Sequence, residues 1–486
     1  MSLTHNIFVV KSADKILKEF ATPDHVKQRT LEVGGKDAML LFSGELCSSQ
    51  FIGYAIKSLK TAKEFKDFAE LSEKYVTTAE TAVLEKDKID DAITAILMGN
   101  AVLCVDGLDG WLDIDVKMWD KRGVAEPPTE TVMRGPREGF TEDIKTTLSL
   151  LCRKLRTPKL AVKRLKIGKM SGTNIAIAYL DGVADNKIVK LIEKKLNAVD
   201  IDFVGDSFYV MQFLEEKPLS VFKQVGFSEK PDVVAAKVAE GRVAIIVDGS
   251  PIVLTVPFLL VEDFQSAEDY YERSQVSALW RIVRYIAVII GVMLPGVYVA
   301  ISIYHFEIIP LNFIVNMLIS VQGLPFPPLV EMIFLLLIFE ILREAAVRIP
   351  RAVGMTMGII TALVLGEAAM ISGLISPPAV MFVALSSMSL FAVPNQVGTL
   401  GLLRIGITVL GGIAGLYGIL IGVVGITAYL VALDTYYTPY TAPFAPLVFD
   451  DLKDAVGRAP LGELTTRPES IPHKNHRRQK SKKVES

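Results

Sequence analysis

The feature that most constrains this chain is a change of solvent preference along its length. Residues 1–284 mix apolar and charged side chains as soluble domains do, 285–433 hold long stretches with almost no charge, and polarity returns after Asp434. Such a chain is expected to fold as a soluble head, a block of helices suited to lipid and a polar tail. A bilayer core takes about 20 apolar residues in helix, and the candidates are 285–304, 353–374, 377–394 and 405–433. Arg281 and Arg284 precede the first as a cytoplasmic anchor, and Pro295-Gly296 predicts a kink within it. The last is long enough to tilt, and Gly411, Gly412, Gly415, Gly418, Gly422 and Gly425 give it small faces that suit close packing on protein.

The stretch 308–351 is less regular. "IIPLNFIVNMLISVQG" is short, and "LPFPP" interrupts the backbone before "LVEMIFLLLIFEILREAAVRIPR". The terminal "HKNHRRQKSKKVES" carries six basic residues against one acid, which favours a cytoplasmic C-terminus. The N-terminal "MSLTHNIFVVKSADK" lacks the apolar core of a signal peptide, so the head is expected in the cytoplasm as well. Both termini on one side require an even number of crossings. We expect four spans, with 308–351 re-entrant or interfacial.

Two sets of residues inside the apolar block invite a functional reading. Glu331, Glu340, Arg343, Glu344 and Arg348 form a charged girdle in which Glu340 and Arg343 are i,i+3 neighbours and Glu344 faces Arg348 at i,i+4. Charges at membrane depth pair or line a wet cavity. The girdle therefore surrounds a pore or a subunit contact, or else it is the water-facing side of an interfacial helix. An ion pair of Arg343 or Arg348 with Glu340 or Glu344 is expected. The second set lies on 354–373, where Gly358, Ala362 and Gly366 make a small face beside Thr361, Val364, Leu365 and Ala368. A ring of such apolar side chains closes a pore by dewetting, with Glu367 collecting cations beside it; the alternative is an ordinary lipid-packed span.

The head contains a repeat. "ILMGNAVLCVDG" (96–107) and "VAEGRVAIIVDG" (238–249) align Gly99 with Gly241 and Val105-Asp106-Gly107 with Val247-Asp248-Gly249. Each follows a helical pattern and precedes a second strand, so each unit is read as helix, strand, tight Asp-Gly turn, strand. The fold class expected is an α/β head of two related subdomains plus a polytopic α-helical membrane domain. The divisions expected are 1–150, 151–275, 276–434 and a basic tail 435–486. "KIVKLIEKKLNAV" (187–199) adds an amphipathic helix to the second unit, and the latter half of 132–160 has helical period.

Enzymatic chemistry finds no foothold. The five histidines are scattered without metal-ligand spacing, so no metal or cofactor is expected. "GKMSGTN" (168–174) lacks phosphate-loop order and is read as a turn, and turn geometry accounts for Asp106 and Asp248. Cys47, Cys104 and Cys152 suit reduced, buried thiols, and a net charge of −2 gives no footprint for nucleic acid.

"RGPREGFTEDI", "EKPDVVAAKVAEGRVAIIVDGSPIVLTVP", "QSAEDYYER", "LPFPPLVE" and "FEILREAAVRIPRAVGMTMGI" together resemble, in order, the A subunit of bacterial spore germination receptors of the GerA type. The resemblance runs from about residue 95 into the tail. It implies a cytoplasmic two-part head, a multi-pass domain in the inner spore membrane and no enzymatic activity. It also implies partners: a transporter-like B subunit that senses nutrient, a C lipoprotein, and further copies of the chain in a ring, a pentamer, that releases monovalent cations. Glu367 stands where the family usually has Gln. Two alternatives stay open: a non-conducting scaffold or signalling subunit, and an accessory paralogue that amplifies ion release without B and C partners of its own.

Overall fold

The computed structural model describes residues 7–479 apart from 23–24, 77–79, 86–87, 118–126, 128–129, 131, 311–314, 316–318, 320, 349–366 and 368–369. The head is one motif written twice. The first copy runs α1 (Ile7–Lys18), β1 (Val26–Val33), β2 (Lys36–Ser43), α2 (Ser49–Lys60), α3 (Phe68–Tyr75), β3 (Thr81–Leu84), α4 (Ile89–Leu97), β4 (Ala101–Val105), β5 (Trp111–Ile114). The second runs α5 (Ile144–Lys154), β6 (Leu160–Ile167), β7 (Thr173–Leu180), α6 (Asn186–Asn197), α7 (Ser207–Leu214), β8 (Gly226–Ser228), α8 (Pro231–Ala239), β9 (Val243–Val247), β10 (Val253–Val256). The sheets have the same order, β1-β2-β4-β5-β3 and β6-β7-β9-β10-β8, with antiparallel neighbours. The repeat therefore extends well beyond the segment legible in sequence and takes in residues before 95.

Each sheet lies between two helix pairs, which explains the unbroken apolar run of its central strand. Because successive strand residues point to opposite faces, Val243, Ile245 and Val247 pack on α6 and α7, whereas Ala244 and Ile246 pack on α5 and α8. The first copy repeats the arrangement, with Leu103 and Val105 facing α2 and α3 while Val102 and Cys104 face α1 and α4. The three cysteines are buried and unpaired. Local sequence starts the helices: Ser48 accepts the N–H groups of Gln50 and Phe51 to begin α2, and Asp185 accepts that of Lys187 to begin α6. Two expectations change in detail. The Asp-Gly connections are the longer loops 106–110 and 248–252, with Gly107 and Gly249 at φ +76° and +87°, and are not tight two-residue turns. Residue 150 falls inside α5, whose Leu148, Leu151 and Cys152 belong to the second core, so a division there cuts a helix.

Beyond the head come α9 (Ser274–Tyr304), α10 (Pro328–Arg348), α11 (Pro377–Leu390) and α12 (Val397–Val431). Two helical stretches among the described residues, Ser274–Tyr304 and Pro394–Val431, are long and apolar enough to cross a membrane. The first runs through Pro295 as one helix. Most of the candidate span 353–374 lies outside the described residues.

One expectation about this block is corrected and another gains detail. The run after "LPFPP", within the stretch expected to be re-entrant or interfacial, is one helix of 21 residues, 328–348, about 31 Å at 1.5 Å per residue. Pro328 occupies its first position, where a missing N–H is harmless, so the prolines start the helix and leave its interior intact. One face, with Met332 and Leu336, packs on Tyr298, Val299, Ala379 and Val383. Conversely, 405–433 is not one tilted span. Ala414 (φ −130°, ψ 18°) and Gly415 (φ +59°, ψ −146°) break α12, the latter in a conformation that L side chains rarely adopt. The chain doubles back there. Ile407 meets Ile419, Leu403 packs in one cluster with Ile426 and Leu430, and a Cβ on Gly418 would lie 2.1 Å from the Leu410 carbonyl oxygen.

The return limb brings the chain home to the head. Leu433 and Tyr440 pack with Phe222 and Phe258 of the second unit. Residues after 440 form part of that unit as far as they are described, which corrects the expectation of a polar tail. Ile471 is buried beside Leu259, Val261, Ala442 and Ala455. His473 bridges Ala184, as Lys117 bridges Cys47 at the corresponding place in the first unit.

Candidate functional site

Buried charge gathers in two places, at the base of the bundle and inside it. The first is a collar where the second unit, α9 and the residues after α12 meet. Asp269 accepts from Arg281 Nε (2.8 Å), Arg284 Nη1 (2.8 Å) and Nη2 (3.0 Å), and the Ser266 N–H (3.1 Å). Arg281, with a fully buried side chain, also donates to Asp454 Oδ1 (2.9 Å) and to the Gly457 carbonyl (3.2 Å). The Tyr270 hydroxyl donates to Asp454 Oδ2 (2.9 Å). Beside this, Glu262 takes Arg242 Nη2 (3.0 Å), Lys237 Nζ (2.8 Å) and the Leu259 N–H (3.0 Å). Asp263 pairs with Lys223 and accepts from Gln396 Nε2 (2.8 Å), just before α12.

The electrostatics follow from burial set against these partners. Burial pushes the Glu262 carboxyl up, but Arg242 and Lys237 outweigh it and bring it down to about 2. Burial likewise opposes ionisation of Asp269, and the hydrogen bonds from Arg284 and Arg281 win, holding it below the usual carboxylate range. At Asp263 burial prevails over Lys223 and the carboxyl is raised. The collar is a charged joint that fixes the base of α9 to the head.

The second cluster ties four helices together. Glu340 of α10 accepts from Arg343 Nη2 (2.6 Å) and from Arg404 Nη2 of α12 (2.8 Å). Arg404, 1% exposed, donates through Nη1 to Ser386 Oγ (3.2 Å) and Ser387 Oγ (2.8 Å) of α11. Ser386 in turn donates to the Gly291 carbonyl of α9 (2.6 Å). A lone guanidinium among apolar helices would be costly; here α10 and α11 supply its acceptors, and α9 accepts in turn from Ser386.

The girdle read from sequence therefore separates into three parts. Glu340 and Arg343 enter the buried cluster. Glu344 and Arg348 form an exposed i,i+4 pair. Glu331 lies apart, buried, and accepts the Ser376 N–H at the start of α11. Of the pore candidates, Glu367 is exposed and helical, while Thr361, Val364, Leu365 and Ala368 lie outside the described residues. Arg404 escaped the sequence argument because 405 was taken as the start of a span; the usable signal was one Arg in "LGLLRIGITV". Asp269 escaped because Arg281 and Arg284 were read as a cytoplasmic anchor for the first span.

A duplicated α/β head, joined by buried ion pairs to an apolar bundle with its own polar core, defines a two-part protein in which the head is held to the bundle. Residues 14–470 match the family model described as Bacillus/Clostridium GerA spore germination protein, and the chain belongs to that family. It is 34% identical over 478 residues to spore germination protein KA of Bacillus subtilis (strain 168), covering 97% of this chain and 88% of that protein. It is 32% identical over 483 residues to spore germination protein GerLA of Bacillus cereus, covering 98% and 97%. A crystal structure of the N-terminal domain of the A subunit of the Bacillus megaterium spore germinant receptor GerK3 matches at 28% identity with a TM-score of 0.38, covering 53% of this chain and 95% of that one.

Proposed function

We propose that this chain is the A subunit of a nutrient-gated germinant receptor, a non-enzymatic multi-pass protein of the spore inner membrane with its head in the spore core. Copies assemble, as a pentamer, around a path for monovalent cations whose opening triggers germination. A transporter-like B subunit supplies nutrient sensing, and a C lipoprotein completes the complex. The single observation that carries this proposal is the Arg404–Glu340 cluster. An ion pair between buried Arg404 and half-buried Glu340, crossing from α12 to α10 and bonded on to α11 and α9, resists deformation, and a helix bundle that must move as a unit needs such a tie. The collar around Asp269 supplies the link by which the head would pull on that unit. Thr361, Val364, Leu365 and Ala368 line the constriction, with Glu367 beside it.

The test is ion retention in spores of the native host. Val364→Ala or Leu365→Ala should let dormant spores leak potassium or germinate early. Unchanged retention in both, with an unchanged germination rate in Glu367→Gln, overturns the conduit and leaves a scaffold or an accessory paralogue.

A further inference from the structure

Among the described residues, one buried carboxyl of the bundle has no ion-pair partner. Glu331 is 1% exposed and lies in the first turn of α10. Its Oε1 accepts the N–H of Ser376, the residue that caps α11. Its Oε2 is buried with no hydrogen-bond partner among the described residues. The described ion pairs of α10 run from Glu340 to Arg343 and Arg404 and from Glu344 to Arg348, and leave Glu331 out. Met332, Leu336, Ile375 and Ala379 are buried around it.

Two neutral oxygens stand close by. Tyr298 of α9 packs in one cluster with Met332 and Ile375, the chain neighbours of Glu331 and Ser376. Tyr298 and Ser376 are both buried. The Ser376 N–H and the positive end of the α11 dipole favour the carboxylate as an anion, yet they satisfy one oxygen only. An anion left half-solvated inside packed helices binds a counter-ion or is lost. The three elements converge on oxygen alone, which suits a hard cation and not a thiophilic metal. With one formal negative charge in the group, a single positive charge brings it to neutrality, whereas a divalent ion would leave a buried excess.

We propose that Glu331 Oε2, with the hydroxyls of Tyr298 and Ser376, holds a monovalent alkali cation that fastens α10 to α9 and to the start of α11. The site stands whether or not the assembled chain conducts, because a non-conducting subunit would need the same counter-ion.

The test is thermal unfolding of the purified full-length chain in detergent, with KCl or NaCl exchanged for N-methyl-D-glucamine chloride at constant ionic strength and pH. The wild type should show a saturable rise in Tm with potassium or sodium. Glu331→Gln, which keeps the shape and can still accept from Ser376, should lose the rise or need a roughly ten-fold higher cation concentration. Should Glu331→Gln not accumulate, Tyr298→Phe removes one oxygen, keeps the carboxylate and should weaken the response in the same sense. A wild-type Tm indifferent to the cation overturns the proposal, as does an undiminished response in either variant. A Tm that rises only on acidification, with no cation effect, assigns the carboxyl a proton and also overturns it.

Discussion

Replacing Arg281 by Ala removes the centre of the collar, and the structure sets the size of the effect. Breaking a buried ion pair by deleting one partner typically costs about 3–5 kcal/mol, because the other charge is left uncompensated. Here neither partner is wholly abandoned: Asp269 keeps Arg284 and the Ser266 N–H, and Asp454 keeps the Tyr270 hydroxyl. The expected loss is therefore at the lower end, about 3 kcal/mol, with part arising from the guanidinium packed 5.6 Å from the Tyr270 ring centroid. At about 2.1 cal/mol/K per residue, a chain of 486 residues unfolds with an entropy of about 1 kcal/mol/K, so the fall in Tm is about 3 °C. Thermal unfolding of the purified chain measures it, and a double-mutant cycle with Asp454→Asn isolates the pair, with an expected coupling of about 1–3 kcal/mol. Limited trypsin digestion should also cut residues 450–479 free of the head sooner in the variant. Arg281→Ala within about 1 kcal/mol of wild type, the range of an exposed pair, would refute the reasoning, as would strict additivity in the cycle.

Three further outcomes are expected. Glu262 titrates at about 2 in the fold against an ordinary 4.5, so its contribution is complete above pH 4.5 and fades as pH falls toward 2. A pH series of unfolding free energies should lose about 3 kcal/mol across that window, and Glu262→Gln should flatten it. Gly415→Ala should lose about 1–3 kcal/mol through its positive φ, with a further clash against His305 Nε2 at 2.9 Å, whereas Gly425→Ala meets nothing within 4 Å and should be neutral or stabilising in a thermal melt. Arg404→Ala should abolish accumulation in the membrane fraction, while Arg348→Ala, an exposed partner, should leave protein level unchanged by immunoblot.

What could be read from sequence was whatever repeated or alternated locally. Gly99 and Gly241 each lead into the central strand, and each Val-Asp-Gly triplet ends that strand before another that pairs back on it. The earlier half of each unit has diverged in sequence while keeping its pattern of burial, so no residue match betrayed it. The strand order and the register show it: the Asp106 N–H bonds the Asp37 carbonyl as the Asp248 N–H bonds that of Asn174. In the bundle, Glu340 and Arg343 were legible because i,i+3 neighbours on one helix are fixed by geometry. Arg404 was not, since its partner lies 64 residues away and the pairing depends on how α12 packs. The fold-back at Gly415 was hidden by the very composition that permits it, one glycine among seven in a run, 405–433, that reads equally well as a long helix. The return of the chain to the head was obscured by its polar surface, although Ile471 is wholly buried.

The account turns on whether this chain, assembled with copies of itself, passes cations. The most direct measurement is current across planar bilayers that contain the purified full-length chain as its only protein, with wild type and Val364→Ala compared side by side. The account predicts discrete openings selective for potassium or sodium over chloride, rare in the wild type and frequent in the variant. Bilayers that stay silent for both, with the chain shown to be inserted and oligomeric, would contradict it.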